Sequence, residues 1–261
     1  MILELQNITL NFSGSKDSFR ILDGLNFSVE KGRITALIGG NGSGKTTLFN
    51  IISGFQEGFT GNILFNGKPL HALSPAKIAQ RGIGRLFQGK PLFQDLNLLD
   101  NMKLASGDSS GESPFSYLIN RKKIDAGEQE KERQAIDILN SLFGADNKYT
   151  KMLHNMGSEF SYGEQRLISL ARLFMGNYSL LLLDEPTAGV NPVYINTIRQ
   201  IILRMIADGK TTVLLIEHNM PFVRDIADRC AYLADGRIQH QGTPCEVLDN
   251  REVKNSYLGI L

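Results

Sequence analysis

The chain has 261 residues, 42% of them hydrophobic and 21% charged, with a formal net charge of +1. That balance suits an ordered chain with a sizeable core and excludes a disordered one. Near neutrality, with no basic stripe, argues against a nucleic-acid binder.

Cys230 and Cys245 lack metal or redox spacing and read as buried or incidental thiols in a reducing compartment. Met1-Ile2-Leu3-Glu4-Leu5-Gln6 carries no basic region and no signal-peptide core. No apolar run approaches the ~20 residues needed to cross a bilayer. A role at a membrane would therefore come through a docked partner.

In chain order, residues 2–12 read as a strand or hairpin with Phe12 near its end, and 13–18 as a polar loop. Residues 25–30 alternate apolar and polar, as a half-exposed strand does. Arg33 to Ile38 reads as a buried strand, Lys45 to Ser53 as a helix stopped by Gly54, and residues 62–65 as a strand before the turn Asn66-Gly67. The first ~65 residues then look like a mixed sheet around a loop. Pro75 to Arg81 reads as a short helix, and Gly82 to Phe87 as a strand with Gln88 at its exit.

Residues 106–116 are the most loop-like stretch. A helix is expected from Arg121 to Phe143, with Ile136, Leu139, Leu142 and Phe143 on one face. Another is expected from Ser161 to Met175. The middle of the chain, roughly 89–160, thus reads as helical and interrupts an α/β pattern. Leu180-Leu181-Leu182-Leu183-Asp184-Glu185 fits a central parallel strand ending in two acids. Asn191-Pro192 opens a helix that Gly209 closes. Thr211 to Ile216 is the next strand, with Glu217-His218 at its exit. Met220 to Arg229 reads as a helix and 231–238 as a hairpin.

The densest chemistry lies in Gly39-Gly40-Asn41-Gly42-Ser43-Gly44-Lys45-Thr46-Thr47. It fits the phosphate-loop pattern G-x-x-x-x-G-K-[ST], between a strand and a helix. Glycines let backbone N–H groups approach phosphate oxygens, and the helix N-terminus adds partial positive charge. Lys45 can reach the β- and γ-phosphates, and the Thr46 hydroxyl can ligand Mg2+. Asp184 and Glu185 follow an apolar strand. An acid there can hold Mg2+, and the next can polarise a water against the γ-phosphate. ATP and Mg2+ are the expected cofactors.

Phe160-Ser161-Tyr162-Gly163-Glu164-Gln165-Arg166 stands before the helix leading to that strand. It resembles the signature motif of ABC-transporter ATPases, usually Leu-Ser-Gly-Gly-Gln. Phe160 stands for the Leu, Tyr162 for the first Gly and Glu164 for the Gln. Ser161 and Glu164 also fit a capping box, a compatible reading because a capped helix start is an anion site. The resemblance implies further roles. Phe12 matches the aromatic that stacks on adenine. Gln88 matches the Q-loop glutamine, a catalytic-site and Mg2+ contact that couples the sheet domain to the helical subdomain. Residues 188–191 match the D-loop, with Asn191 where many members have Asp. His218 matches the switch histidine, and Glu185 the catalytic base. Nucleotide contacts would come from Phe12, residues 39–47, Ser161, Gly163 and Glu164.

The stretches 46–50, 185–192, 215–220 and 257–259 look more narrowly like ATP-binding subunits of branched-chain amino-acid importers. Gly40 departs from the Pro common at its position. The fold implied is a P-loop NTPase α/β core with an N-terminal antiparallel β-subdomain and an inserted α-helical subdomain. That is one ABC ATPase domain over 1–261, with the helical part at about 89–175. The function implied is ATP hydrolysis powering import of branched-chain amino acids or a related small amide, urea included. Expected partners are membrane permease subunits, a second homologous ATP-binding subunit in a heterodimer, and indirectly a periplasmic or surface substrate-binding protein. The expected place is the cytoplasmic face of the inner (plasma) membrane.

The segment after Gln88, running through Leu104, is a candidate for docking the permease, equally readable as packing of the helical subdomain. A repair or chromosome ATPase would need a far longer insertion than 89–160, and a translation-associated one two nucleotide domains. An exporter ATPase, for lipopolysaccharide for example, would share every catalytic motif and is the alternative.

Overall fold

The computed structural model describes residues 1–13, 18–89, 91–106 and 114–258. Two compact units emerge, the first comprising Met1–Gln88, Tyr178–Ala188 and Leu203–Leu261, the second Gly89–Asn177 and Gly189–Ile202. Among the described residues, no helix is long and apolar enough to cross a membrane.

The first unit opens with strands β1 (Leu3–Ser13) and β2 (Ser18–Val29), then β3 (Ile34–Ile38) and helix α1 (Lys45–Ile52). Strands β4 (Thr60–Phe65) and β5 (Lys68–Pro69), helix α2 (Pro75–Gln80) and strand β6 (Ile83–Leu86) follow. The mixed sheet read over the first ~65 residues is divided between two sheets, in keeping with the antiparallel β-subdomain that the resemblance implies. Strands β2, β1, β4 and β5 make a four-stranded antiparallel sheet in that order. Strand β3 joins a different sheet. The physical reason is its pattern: all five positions of Ile-Thr-Ala-Leu-Ile are buried. Such a strand needs cover on both faces, which a parallel sheet interior supplies.

The second unit holds α3 (Leu98–Lys103), α4 (Pro114–Phe143), α5 (Lys148–Lys151) and α6 (Tyr162–Arg172). Helix α4 begins earlier than expected, inside the stretch read as loop, because a proline in the first turn costs no intrahelical bond. Ser161 is the cap of α6, and Leu173–Met175 tightens into a 3-10 turn. Leu98, Met102, Leu139, Phe160, Ile168 and Ala171 share the unit's apolar core.

Strand β7 (Leu180–Asp184) returns the chain to the first unit. Most of helix α7 (Pro192–Ile206) belongs to the second unit, and β8 (Thr212–Ile216), α8 (Met220–Ile226), β9 (Arg229–Ala234), β10 (Arg237–Gly242), α9 (Pro244–Leu248) and α10 (Arg251–Leu258) complete the first. The helix expected to reach Arg229 ends at Ile226. Ala227 turns extended, and the Asp228 carboxylate accepts the Ile34 N–H at 2.8 Å, seating β9 beside β3.

Six strands pair in the order β10-β9-β3-β8-β7-β6. From β9 to β6 the pairings are parallel, and β10 is an antiparallel edge. One apolar cluster includes Leu3 and Ile63 of the antiparallel sheet, Leu48, Phe49 and Ile52 of α1, and Leu37, Leu182 and Leu214 of the parallel sheet. Cys230 is buried in β9, and burial pushes its thiol up to about 12, whereas Cys245 is exposed.

Candidate active site

Strands β3, β8, β7 and β6 are successive neighbours and run the same way. The residues leaving their carboxyl ends therefore meet along one edge, where ligands of open α/β sheets bind. Gly39 to Thr46 leave β3, Glu217-His218 leave β8, Glu185 to Thr187 leave β7, and Phe87-Gln88 leave β6.

The loop after β3 is packed against β9. A Cβ on Gly39 would lie 2.3 Å from the Leu233 carbonyl oxygen and 2.7 Å from Ser43 Oγ, so only glycine fits. Gly44 begins α1 at φ 102, a left-handed conformation open to glycine. It caps α1 with no side-chain hydrogen bond, so the first-turn N–H groups have no cap of that kind. Asn41 and Gly42 are exposed, Ser43 donates its N–H to the Gly40 carbonyl at 3.3 Å, and Thr46 is exposed beside half-buried Thr47. Lys45 is buried and turns back on its own loop. Its ammonium donates to the carbonyl oxygens of Gly39 and Gly40, both at 2.8 Å, and to Ser43 Oγ at 3.4 Å. Burial lowers its pKa, opposed by the charges of Glu185 and Asp184.

Asp184 ends β7 and is 1% exposed. Its Oδ2 lies 3.3 Å from Arg85 Nη2. Arg85 also donates to Ser53 Oγ at 2.7 Å and sits 4.6 Å from the Phe87 ring centroid. Burial lowers the Arg85 pKa, and Asp184 counters it. Removing one member of a buried pair strands the other. Arg85→Met is therefore expected to lower unfolding free energy by about 3–5 kcal/mol, read by denaturant titration. Wild-type stability in that variant would show that the pair carries no such weight.

Glu185 takes φ 48, rare for a residue with a side chain. Its carboxylate accepts the Gln88 side-chain amide at 2.6 Å and lies 3.3 Å from His218 Nε2. Gln88, Glu185 and His218, spread along the sequence, are thus one cluster. The Thr46 hydroxyl, an Asp184 oxygen and the Gln88 amide oxygen are all hard donors from this edge. Among the described residues, no group of three or more His, Cys, Asp or Glu could hold a metal. A hydroxyl, one carboxylate and one amide fit Mg2+, which retains waters and substrate phosphates instead of demanding a protein cage.

In the second unit, Ser161 and Glu164 form the capping box. Glu164 Oε2 accepts the Ser161 N–H at 2.8 Å and the Ser161 hydroxyl at 2.7 Å, while its other oxygen pairs with Lys148. These bonds hold the Glu164 carboxyl below the usual range although burial opposes them. A Cβ on Gly163 would lie 2.6 Å from Tyr194 Cδ2, so packing alone calls for glycine there. Phe12 pairs with Phe19 in the backbone of β1, but its side chain lies outside the described part of the structure.

Sequence reasoning gave no role to Arg85, Thr187, Lys148 or Glu217. Only Glu217 carried a usable signal: like Asp184, it is an acid directly after an apolar strand.

A glycine loop closing onto a helix that starts with lysine, beside acids on a neighbouring parallel strand, defines a P-loop nucleoside-triphosphatase. A family model described as "ABC transporter" matches residues 22–188. The high-affinity branched-chain amino acid transport ATP-binding protein BraF of Pseudomonas aeruginosa is 31% identical over 258 residues, 99% of this chain and 98% of the relative. A probable branched-chain amino acid transport ATP-binding protein of Methanocaldococcus jannaschii is 34% identical over 262 residues, 99% and 97% of the two chains. The crystal structure of the ADP conformation of an ATP-binding cassette of an ABC transporter superposes with a TM-score of 0.78 at 32% identity, covering 99% of this chain and 98% of that one. The chain belongs to the ABC transporter ATP-binding family. It is a nucleotide-binding, ATP-hydrolysing cassette.

Proposed function

We propose that this cassette powers uptake of branched-chain amino acids or a related small amide, urea included, through a membrane permease. The near full-length likeness to relatives named for branched-chain amino acid transport supports that substrate class over lipopolysaccharide export. On this reading it works at the cytoplasmic face of the membrane, attached through permease subunits, beside a second homologous ATP-binding subunit. A substrate-binding protein outside the membrane delivers the solute.

One observation carries the catalytic assignment: a single carboxylate, Glu185, held between Gln88 and His218 one residue beyond buried Asp184. Glu185 is the base that takes a proton from the attacking water. His218 orients water and γ-phosphate from the other side. Residues 39–47 wrap the phosphates, with the Lys45 ammonium leaving its own carbonyls for them. Phe12 stacks on adenine. Thr46, Asp184 and Gln88 would hold Mg2+, which neutralises phosphate charge when bound.

The remaining contacts come from a second subunit, whose equivalents of Ser161, Gly163 and Glu164 face this phosphate loop. Each of the two sites is then incomplete in one chain. ATP favours the closed pair and its products the open pair, and that difference in affinity moves the permease.

The test is purification of the chain from membranes with its bound partners intact. Two permease subunits and ATPase activity stimulated by a binding protein loaded with leucine, isoleucine or valine are expected. Copurification with lipopolysaccharide-export components, or stimulation by none of these solutes and by no small amide, would overturn the substrate assignment. The catalytic reading would stand or fall separately on hydrolysis itself.

A further inference from the structure

Glu217 is 2% exposed, yet it is a carboxylate at the end of a buried strand. Its two oxygens are divided between two loops. Oε1 accepts the Thr187 N–H at 2.8 Å and the Thr187 hydroxyl at 2.7 Å. Oε2 accepts the His218 N–H at 3.0 Å and the Asn219 N–H at 3.2 Å. All four donors are neutral, and bonds to an ionised acceptor are about twice as strong as neutral ones. Thr187 is two residues past Glu185, and His218 is the next residue after Glu217. The carboxylate therefore spans the loop that bears Glu185 and the loop that bears the histidine.

The backbone explains why a link is needed there. The β7–β8 ladder has its last pair at Asp184 and Ile216. One more bond follows, from the Glu185 N–H to the Ile216 carbonyl at 3.0 Å. Past it, the strands become loops with no ladder between them, and the Glu217 side chain supplies the connection. Glu185 is thereby fixed on both sides, by the ladder before it and by Thr187 after it. Its φ of 48 lies between those two anchors. Strained conformations persist only where the surroundings over-determine them.

We propose that Glu217 is a positioning residue: one buried carboxylate sets the separation of Glu185 and His218 by holding Thr187 and the His218–Asn219 backbone together. The inference rests on the catalytic roles given above to Glu185 and His218. It adds that their registration is not a property of the sheet alone.

Glu217→Gln keeps size and shape but offers one acceptor in place of two, so either Thr187 or the His218 loop faces an amide N–H that cannot accept. The full chain is assayed at a concentration that sustains turnover, with thermal melting and binding of a fluorescent ATP analogue measured in parallel. A displacement of catalytic groups on the scale of 1 Å costs up to ~10²-fold, so a kcat fall of ~10–100-fold is expected with the KM for ATP changed less than about threefold.

Thr187→Val removes only the hydroxyl bond and covers the case in which Glu217→Gln does not fold. It should lower kcat by roughly 3–10-fold, again without changing KM, since one charge-assisted bond is lost. Wild-type kcat in folded Glu217→Gln would overturn the proposal. So would unchanged kcat in Thr187→Val if Glu217→Gln fails to fold, or parallel losses of kcat, nucleotide binding and melting temperature. Absence of hydrolysis by the wild-type chain would instead count against the assigned catalytic roles.

Discussion

Glu185→Gln is expected to stop steady-state ATP hydrolysis while leaving ATP bound. Glutamine keeps the shape of the side chain and can still meet Gln88 and His218, so the cluster should survive. What it cannot do is take a proton from water. Loss of a general base costs ~10²–10⁴-fold in turnover, and the chemical step should fall within that range. Lys45 and the phosphate loop are untouched, and one negative charge beside the phosphates is removed. Affinity for ATP should therefore stay level or rise. Single-turnover hydrolysis and equilibrium nucleotide binding separate the two effects. Near-normal steady-state hydrolysis would remove Glu185 from the mechanism and leave His218 as the group to examine.

Lys45→Ala should fail at the opposite step, in binding. Without nucleotide, the ammonium rests on two carbonyl oxygens and a hydroxyl of its own loop. With nucleotide, the same ammonium would meet anionic phosphate oxygens. Both states lose a bond in the variant, so the effect on affinity is their difference. Hydrogen bonds between charged partners exceed those to neutral acceptors, and a net loss of about 2–4 kcal/mol, or roughly 30–1000-fold in ATP affinity, is expected. Isothermal titration with ATP reads it directly. Affinity within about threefold of wild type would show that the ammonium stays on its own carbonyls when nucleotide binds. The alanine variant should also have a looser loop even when empty, because two carbonyls lose their donor.

The parts of this site that the amino-acid order announces are the local ones. Gly39 to Thr46 sit together in sequence, and their spacing is itself the geometry. Asp184 and Glu185 follow four leucines, so a buried strand with acids at its end could be read directly. Ser161 and Glu164, three apart, form the capping box that their spacing implies.

What could not be read depends on neighbours distant in sequence. Strand order decides that β8 lies between β3 and β7, and no local pattern encodes it. No local pattern divides the first residues between two sheets either; that division comes only from the resemblance. Arg85 looks like an exposed charge in a short strand, yet it is buried against Asp184, 99 positions later. Glu217 reads as one more strand-end acid, because Thr187, 30 positions earlier, is not next to it in sequence. The end of α8 at Ile226 is likewise decided by Asp228 reaching Ile34, a tertiary bond that overrides a good helical stretch.

The position of β8 makes the site depend on long-range pairing. Strands β3 and β7 are not neighbours; β8, which follows both in sequence, fills the place between them. The loop lysine and the acids of β7 are thus held in register through a strand that follows both in sequence. Gly32 is tied to Thr212, 180 positions on, at the same seam. A nascent chain lacking β8 would have its phosphate loop but no settled distance from that loop to Asp184 and Glu185. The site thus depends on pairings between segments far apart in sequence, and such non-local connectivity is of the kind that slows folding.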